Sequence, residues 1–129
     1  MADLFLLFNH RLTETQARQA ERELGVQHIT HPPERISRLW SNVPPEPETI
    51  RGYLQPVFDW IDTTVGAGDF LLIQGDFGAC HLVLAHISGS GIIPVYATTE
   101  RRAIERRLAD DTVQLTHTFR HVRFRIYGG

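Results

Sequence analysis

Unbroken apolar runs of strand length constrain this chain more than any other feature. They are Leu4 to Phe8 in "DLFLLF", Phe70 to Ile73 in "DFLLIQ", and the "IIPVYATT" stretch that follows them. A strand that is apolar on both faces has to be covered on both faces. That is the condition of a parallel sheet flanked by helices. The segments between the runs carry the matching helix signals. Thr13 with Gln16 three residues on makes a capping box, Leu12 can staple against Ala17, and Ala17, Ala20 and Leu24 share one face before Gly25 stops the helix. "VQHIT" reads as a short second strand ended by Pro32-Pro33, and residues 33–40 as a helical turn or two with Ile36, Leu39 and Trp40 inward. After the Pro-rich loop "SNVPPEPE", Ile50, Leu54, Val57, Phe58, Ile61 and Val65 mark one long helix. Pro56 is expected to kink it and Gly66 to end it. A last helix runs from Gly78 to Ser88 and is closed by "GSG".

Strand and helix therefore alternate through the first hundred residues. The reading is an α/β, Rossmann-like fold: a mainly parallel sheet, right-handed crossovers, and helices on both faces. The tail differs. Val113, Leu115, His117 and Phe119 alternate, and Val122, Phe124 and Ile126 alternate in the opposite parity. The slip near Arg120-His121 predicts a bulge or bend in a C-terminal antiparallel hairpin that extends the sheet, with Asp110-Asp111 at the turn. A helix over residues 99–109 is the competing reading.

With 129 residues, 42% of them hydrophobic, the chain is expected to form one domain over 1–129. No run reaches the roughly 20 apolar residues of a membrane helix, and no signal peptide is visible, so no membrane partner is expected. Cys80 is the lone cysteine, which makes a cytoplasmic location the default. Net charge is −2 but unevenly spread: residues 1–99 hold six Arg against eleven Asp and Glu, and residues 100–129 hold seven Arg against four. Every cationic position is Arg, the better bidentate phosphate ligand, and there is no Lys.

In an open parallel sheet, ligands bind beyond the carboxyl ends of the strands. Those ends lead into Asn9-His10-Arg11, Trp40-Ser41-Asn42, Gly75-Asp76-Phe77-Gly78 and Thr98-Thr99-Glu100-Arg101-Arg102. Glycines around Asp76 let a ligand approach the backbone, and free N–H groups opening the next helix suit a phosphate. Plainer readings stand beside these. The glycines can serve a tight turn, Asp76 can cap the helix, Trp40 can be core, Ser41 and Asn42 can cap the Pro-rich turn, and the Arg run can be a solvated face. The stretch is neither a P-loop nor GxGxxG. His28 with His31, and His81 with His86, are poorly spaced as ligand pairs, so no metal and no cofactor are expected. The residues alone thus predict a site for a small anionic ligand.

Five stretches in order, "FNHRLT", "LWSNVPPE", "LIQGDFGA", "IPVYATTERR" and "FRHVRFRIY", resemble the small CRISPR-associated Csx proteins of type III systems, most closely the family numbered twenty in that series. The likeness runs nearly end to end, and "YATTERR" before an Arg-rich hairpin is similar to CARF-type domains. The resemblance implies a ring nuclease that cleaves a cyclic oligoadenylate, chiefly cyclic tetra-adenylate, without metal and with no role for long nucleic acid. The 2′-hydroxyl attacks the neighbouring phosphate and leaves linear adenylates with 2′,3′-cyclic phosphate. It also implies a homodimer with the ring across its two-fold axis. On that reading, with no Lys present, His10 is the first choice of general acid, and an Arg, His121 at the bend of the tail hairpin, or positioning and backbone donors alone are the alternatives. Asp76 orients it or binds a ribose. Backbone N–H groups of residues 76–79, Ala79 included, with Thr98, Thr99, Arg101 and Arg102, hold phosphates. Trp40, Phe77 and Asn42 face adenines, and Asn9, Arg11, Ser41, Gly75 and Gly78 complete the surround. There are two alternatives: a non-catalytic sensor or sponge for the ring, which the same pocket would serve, and a Rossmann-like interaction module in CRISPR complexes that binds no nucleotide.

Overall fold

The structure is a computed structural model that describes residues 2–129. Along the chain the elements are β1 (Leu4–Leu7), α1 (Glu14–Leu24), β2 (Ile29–Thr30), α2 (Glu34–Ser41), α3 (Gln55–Thr64), β3 (Phe70–Ile73), α4 (Phe77–Ile87), β4 (Ile93–Arg107) and β5 (Val113–Ile126). The strands form one sheet in the order β2-β1-β3-β4-β5. The first four are mutually parallel and β5 is antiparallel to β4. All four residues of β1 are buried because both sides of it are covered. Leu4 and Leu6 join Leu72, Val95 and Phe124 under Ala20 of α1. Phe5 and Leu7 join Leu71 and Ile73 under Ile36, Trp40, Phe58 and Val83 of α2, α3 and α4. Each large aliphatic or aromatic side chain so buried contributes roughly 1.5–3 kcal/mol.

Local signals in the sequence set most boundaries. The Thr13–Gln16 capping box is formed in both directions, and Gly25 closes α1 in the left-handed region at φ +65°. Pro56 departs from expectation. It lies in the first turn of α3 and starts that helix rather than kinking a longer one, because its missing N–H has no partner to lose there. Residues 50–54 form a separate turn, in which the Leu54 N–H donates to the Ile50 carbonyl.

The tail resolves in favour of strand. β4 pairs with β3 only from Ile93 to Val95, then runs on to Arg107 beside β5. Thr98 faces Arg123 and Thr99 faces His121, so Val122 is the extra residue and the bulge sits one position past the expected slip. The Val122 carbonyl accepts from Gln19 Nε2 at 2.7 Å, which ties the bulge to α1. Nine cross-strand pairs, from Thr99–His121 to Arg107–Val113, extend past the bulge as a two-stranded arm. Apart from Glu100 and His121, every residue of those pairs is exposed. Asp111 turns the tip at φ +68°. Among the described residues, no helix is long and apolar enough to cross a membrane.

Candidate functional site at the carboxyl edge of the sheet

β1 and β3 are neighbours, yet the helices after them leave on opposite faces: α1 with one cluster of core residues, α4 with the other. Such a divergence opens a crevice at the carboxyl ends of the strands. The loop after β1 carries Asn9, His10 and Arg11, all exposed. His10 sets its ring edge-on against Phe8, with centroids 5.6 Å apart. Across from the loop rises the base of the arm. Between them lies a cleft of about 460 Å³, lined by His10 and Arg11 from the loop, Thr13 and Gln16 from the start of α1, and Thr99, Phe119, Arg120 and His121 from the arm. A second cleft, of about 400 Å³, lies on the other side of the same loop. Asn9, His10 and Arg11 line it together with His31, Glu34 and Ser37. His10 and Arg11 thus serve both.

His121 is unusual in this setting. Both its ring nitrogens are shielded from solvent and have no hydrogen-bond partner among the described residues. Burial holds its imidazole below the usual histidine value, against a smaller upward pull from Glu23. The imidazole is thus an unsatisfied polar group in the wall of the cleft, close to His10 and Arg11.

The turn after β3 feeds a third cleft, of about 480 Å³, which Gly75, Phe77, Cys80, His81, Tyr96 and Tyr127 line. Phe77 is 94% exposed at the first position of α4. Burial pushes the Tyr127 hydroxyl up to about 12, and that hydroxyl donates to the Ile73 carbonyl. Burial likewise raises the Cys80 thiol.

Several expected site residues turn out to have structural duties. Trp40 is 2% exposed, and its indole N–H donates to the Gln74 carbonyl at 2.9 Å, so it is core and no stacking platform. That contact also explains Gly75. A Cβ there would lie 2.8 Å from Trp40 Nε1, so the glycine admits the indole and not a ligand. Asp76 is the N-cap of α4, where its Oδ2 accepts from the Ala79 N–H at 3.0 Å. The Ala79 N–H is therefore already engaged. Asp76 also lines neither cleft that His10 lines, so the two are not brought together as a pair. Gly78 is exposed in the first turn of α4.

Ser41 and Asn42 close α2, where the Asn42 amide donates to the Arg38 carbonyl and the Tyr53 hydroxyl to the Asn42 carbonyl. Neither lines any of the three clefts. The Thr98 hydroxyl sits in the bulge, donating to the Arg123 carbonyl at 3.1 Å and accepting its N–H at 3.2 Å. Arg102 is paired with Glu100 at 3.1 Å. Arg101 points to the other face of the arm, where its Nε donates to His117 Nδ1. Of the expected residues, then, His10, Arg11 and Thr99 share one cleft. Sequence reasoning underweighted Phe119, Arg120 and His121, although the parity slip marked their position. Among the described residues, no group of three or more His, Cys, Asp or Glu side chains is arranged to hold a metal ion.

The fold and site define an α/β protein with a mostly parallel five-stranded sheet, a cationic cleft at its carboxyl edge and a projecting antiparallel arm. Residues 2–125 match the Uncharacterized protein MJ1673 family, and the chain belongs to that family. It is 36% identical over 127 residues to the uncharacterized protein MJ1673 of Methanocaldococcus jannaschii, with 98% of each chain covered. No solved structure matches it.

Proposed function

We propose that this protein is a ring nuclease: a Rossmann-like, CARF-type domain that opens a cyclic oligoadenylate, with cyclic tetra-adenylate the foremost substrate, and so ends type III CRISPR signalling. The reading rests on the Csx-like stretches of the sequence. The single geometric observation that carries it is the cleft in which His10 and Arg11 face Thr99, Arg120 and His121. Its volume accommodates one nucleotide unit of a ring and leaves the remainder outside.

The proposed chemistry needs three things. The 2′-hydroxyl must lie in line with the scissile phosphorus, the growing phosphorane charge must be met by fixed donors, and a proton must reach the departing 5′-oxygen. Arg11 supplies charge-assisted donors that stay protonated throughout; Arg120 is paired with Glu100 at 3.8 Å on the other face of the arm. His10 protonates the 5′-oxygen. The proton of the attacking 2′-hydroxyl passes to solvent, because the ring nitrogens of His121 are shielded from the cleft. The bond from phosphorus to the 5′-oxygen breaks as the bond to the 2′-oxygen forms, which leaves a 2′,3′-cyclic phosphate. No metal enters this scheme. Asp76 and Trp40, with their structural duties, are given no part in it.

General acid catalysis is worth about 10²–10⁴ in rate. His10→Ala is therefore expected to slow single-turnover cleavage by roughly that factor while ring affinity shifts far less. A rate within about threefold of the wild type removes His10 from the chemical step. Tight binding with no cleavage in the wild type itself would favour the sensor or sponge.

A further inference from the structure

Almost all the large apolar side chains that this fold leaves in water lie in the hairpin. Ile104, Leu108, Val113, Leu115, Phe119, Val122 and Ile126 are 39–69% exposed, and among the described residues Phe77 is the one outside it. The nine-pair arm has only its two strands to hold it. A lone two-stranded ribbon is marginal in water and needs a surface to lie on.

Strand alternation sorts the side chains of the arm. Cross-strand partners share a face, so Thr99, Arg101, Ala103, Glu105 and Arg107 of β4 lie with His121, Phe119, His117, Leu115 and Val113 of β5. The opposite face carries Glu100, Arg102, Arg106 and Arg120 with Ile104 as its one large apolar side chain, and is the more polar of the two.

The first face is self-complementary about its middle pair, Ala103–His117. Two residues from that centre on β4 stand Arg101 on one side and Glu105 on the other; on β5 stand Phe119 and Leu115. Ala103, at the centre, is small. A two-fold axis between two stacked arms, running across the strands at this pair, reverses strand direction and sets β4 on β4 and β5 on β5. Each Arg101 then meets Glu105 of the partner subunit, and each Phe119 meets Leu115 of the partner subunit.

We propose that the arm is a dimer surface on which a second copy of this chain stacks, face to face and antiparallel. Charge complementarity selects the partner, because one isologous contact neutralises two Arg–Glu pairs and covers the apolar stripe of both copies. The same symmetry lays Arg107 of the partner subunit over Thr99 and Val113 of the partner subunit over His121. The partner's tip thereby adds a guanidinium to the His10 cleft. The axis passes four pairs from that cleft, so two separate clefts stand at the ends of the stacked arms, which differs from one ring lying across the axis. The inference rests on the homodimer that the Csx-like resemblance implies and gives it a surface.

Sedimentation of the full chain at micromolar concentration tests it. The wild type is expected to be a dimer. Arg101→Glu and Glu105→Arg should each weaken dimerisation by about tenfold or more, and the double swap should recover it by restoring the pairing with reversed sign. A monomeric wild type, single swaps without effect, or a double swap that fails to recover the dimer would overturn the proposal. Mass is read whether or not any ring is cut, so a swap-sensitive dimer that leaves rings intact contradicts the cleavage reading alone.

Discussion

His121 shows how one residue can report on the cleft. Its imidazole sits below the ordinary histidine value of 6.5 because burial disfavours the charged form. In the unfolded chain the ring takes up a proton as pH drops through about 6.5, while the folded chain resists. The unfolded state then binds more protons, so stability is lost as pH is lowered across the interval between the ordinary value and the lowered folded one. Above that interval both states are neutral and the effect vanishes. Thermal unfolding of the wild type is expected to lose more ground between pH 7 and pH 5 than unfolding of His121→Gln. Parallel curves for the two proteins would show that the ring is not held neutral. Legibility ends at this same scale. Trp40 could be read as apolar and Gly75 as conformationally free, but their contact spans 35 positions, and no local pattern announces that the glycine exists to admit the indole.

At the scale of elements, chemistry carried within a few residues was legible. The capping box of α1, the left-handed Gly25 and the cover on both faces of β1 follow from side chains near one another in sequence. Pro56 misled because proline signals a kink in mid-helix and a start in the first turn, and only packing decides which. The arm was ambiguous for a related reason. In residues 99–109 two adjacent Arg pairs are separated by Ala103, Ile104 and Glu105, a pattern that periodicity alone does not assign, and cross-strand pairing settles it as strand. Asp76 belongs to this scale too, since its carboxylate holds the first turn of α4. Replacing an N-cap by Ala costs about 1 kcal/mol, whereas Asn can accept the same bond. Asp76→Ala should therefore lower the denaturant midpoint while Asp76→Asn stays close to the wild type. An Ala variant as stable as the wild type would release Asp76 from the cap and return it to the pool of site residues.

For the whole molecule, one sheet edge collects what function needs. The strand order puts β1 beside β3 with helices departing on opposite faces, and the bulge at Val122 delivers Thr99 and His121 to the loop that carries His10. The carboxyl edge could be foreseen from the apolar runs. The division of its polar residues into separate clefts could not, because it depends on how far the arm projects. Incubation of the protein with cyclic tetra-adenylate in excess chelator, followed by separation of the products, tests the central claim most directly. The account predicts that the ring is converted to linear adenylates ending in 2′,3′-cyclic phosphate. A ring that survives intact with enzyme in stoichiometric amount, or one cut only when a divalent ion is restored, would contradict it.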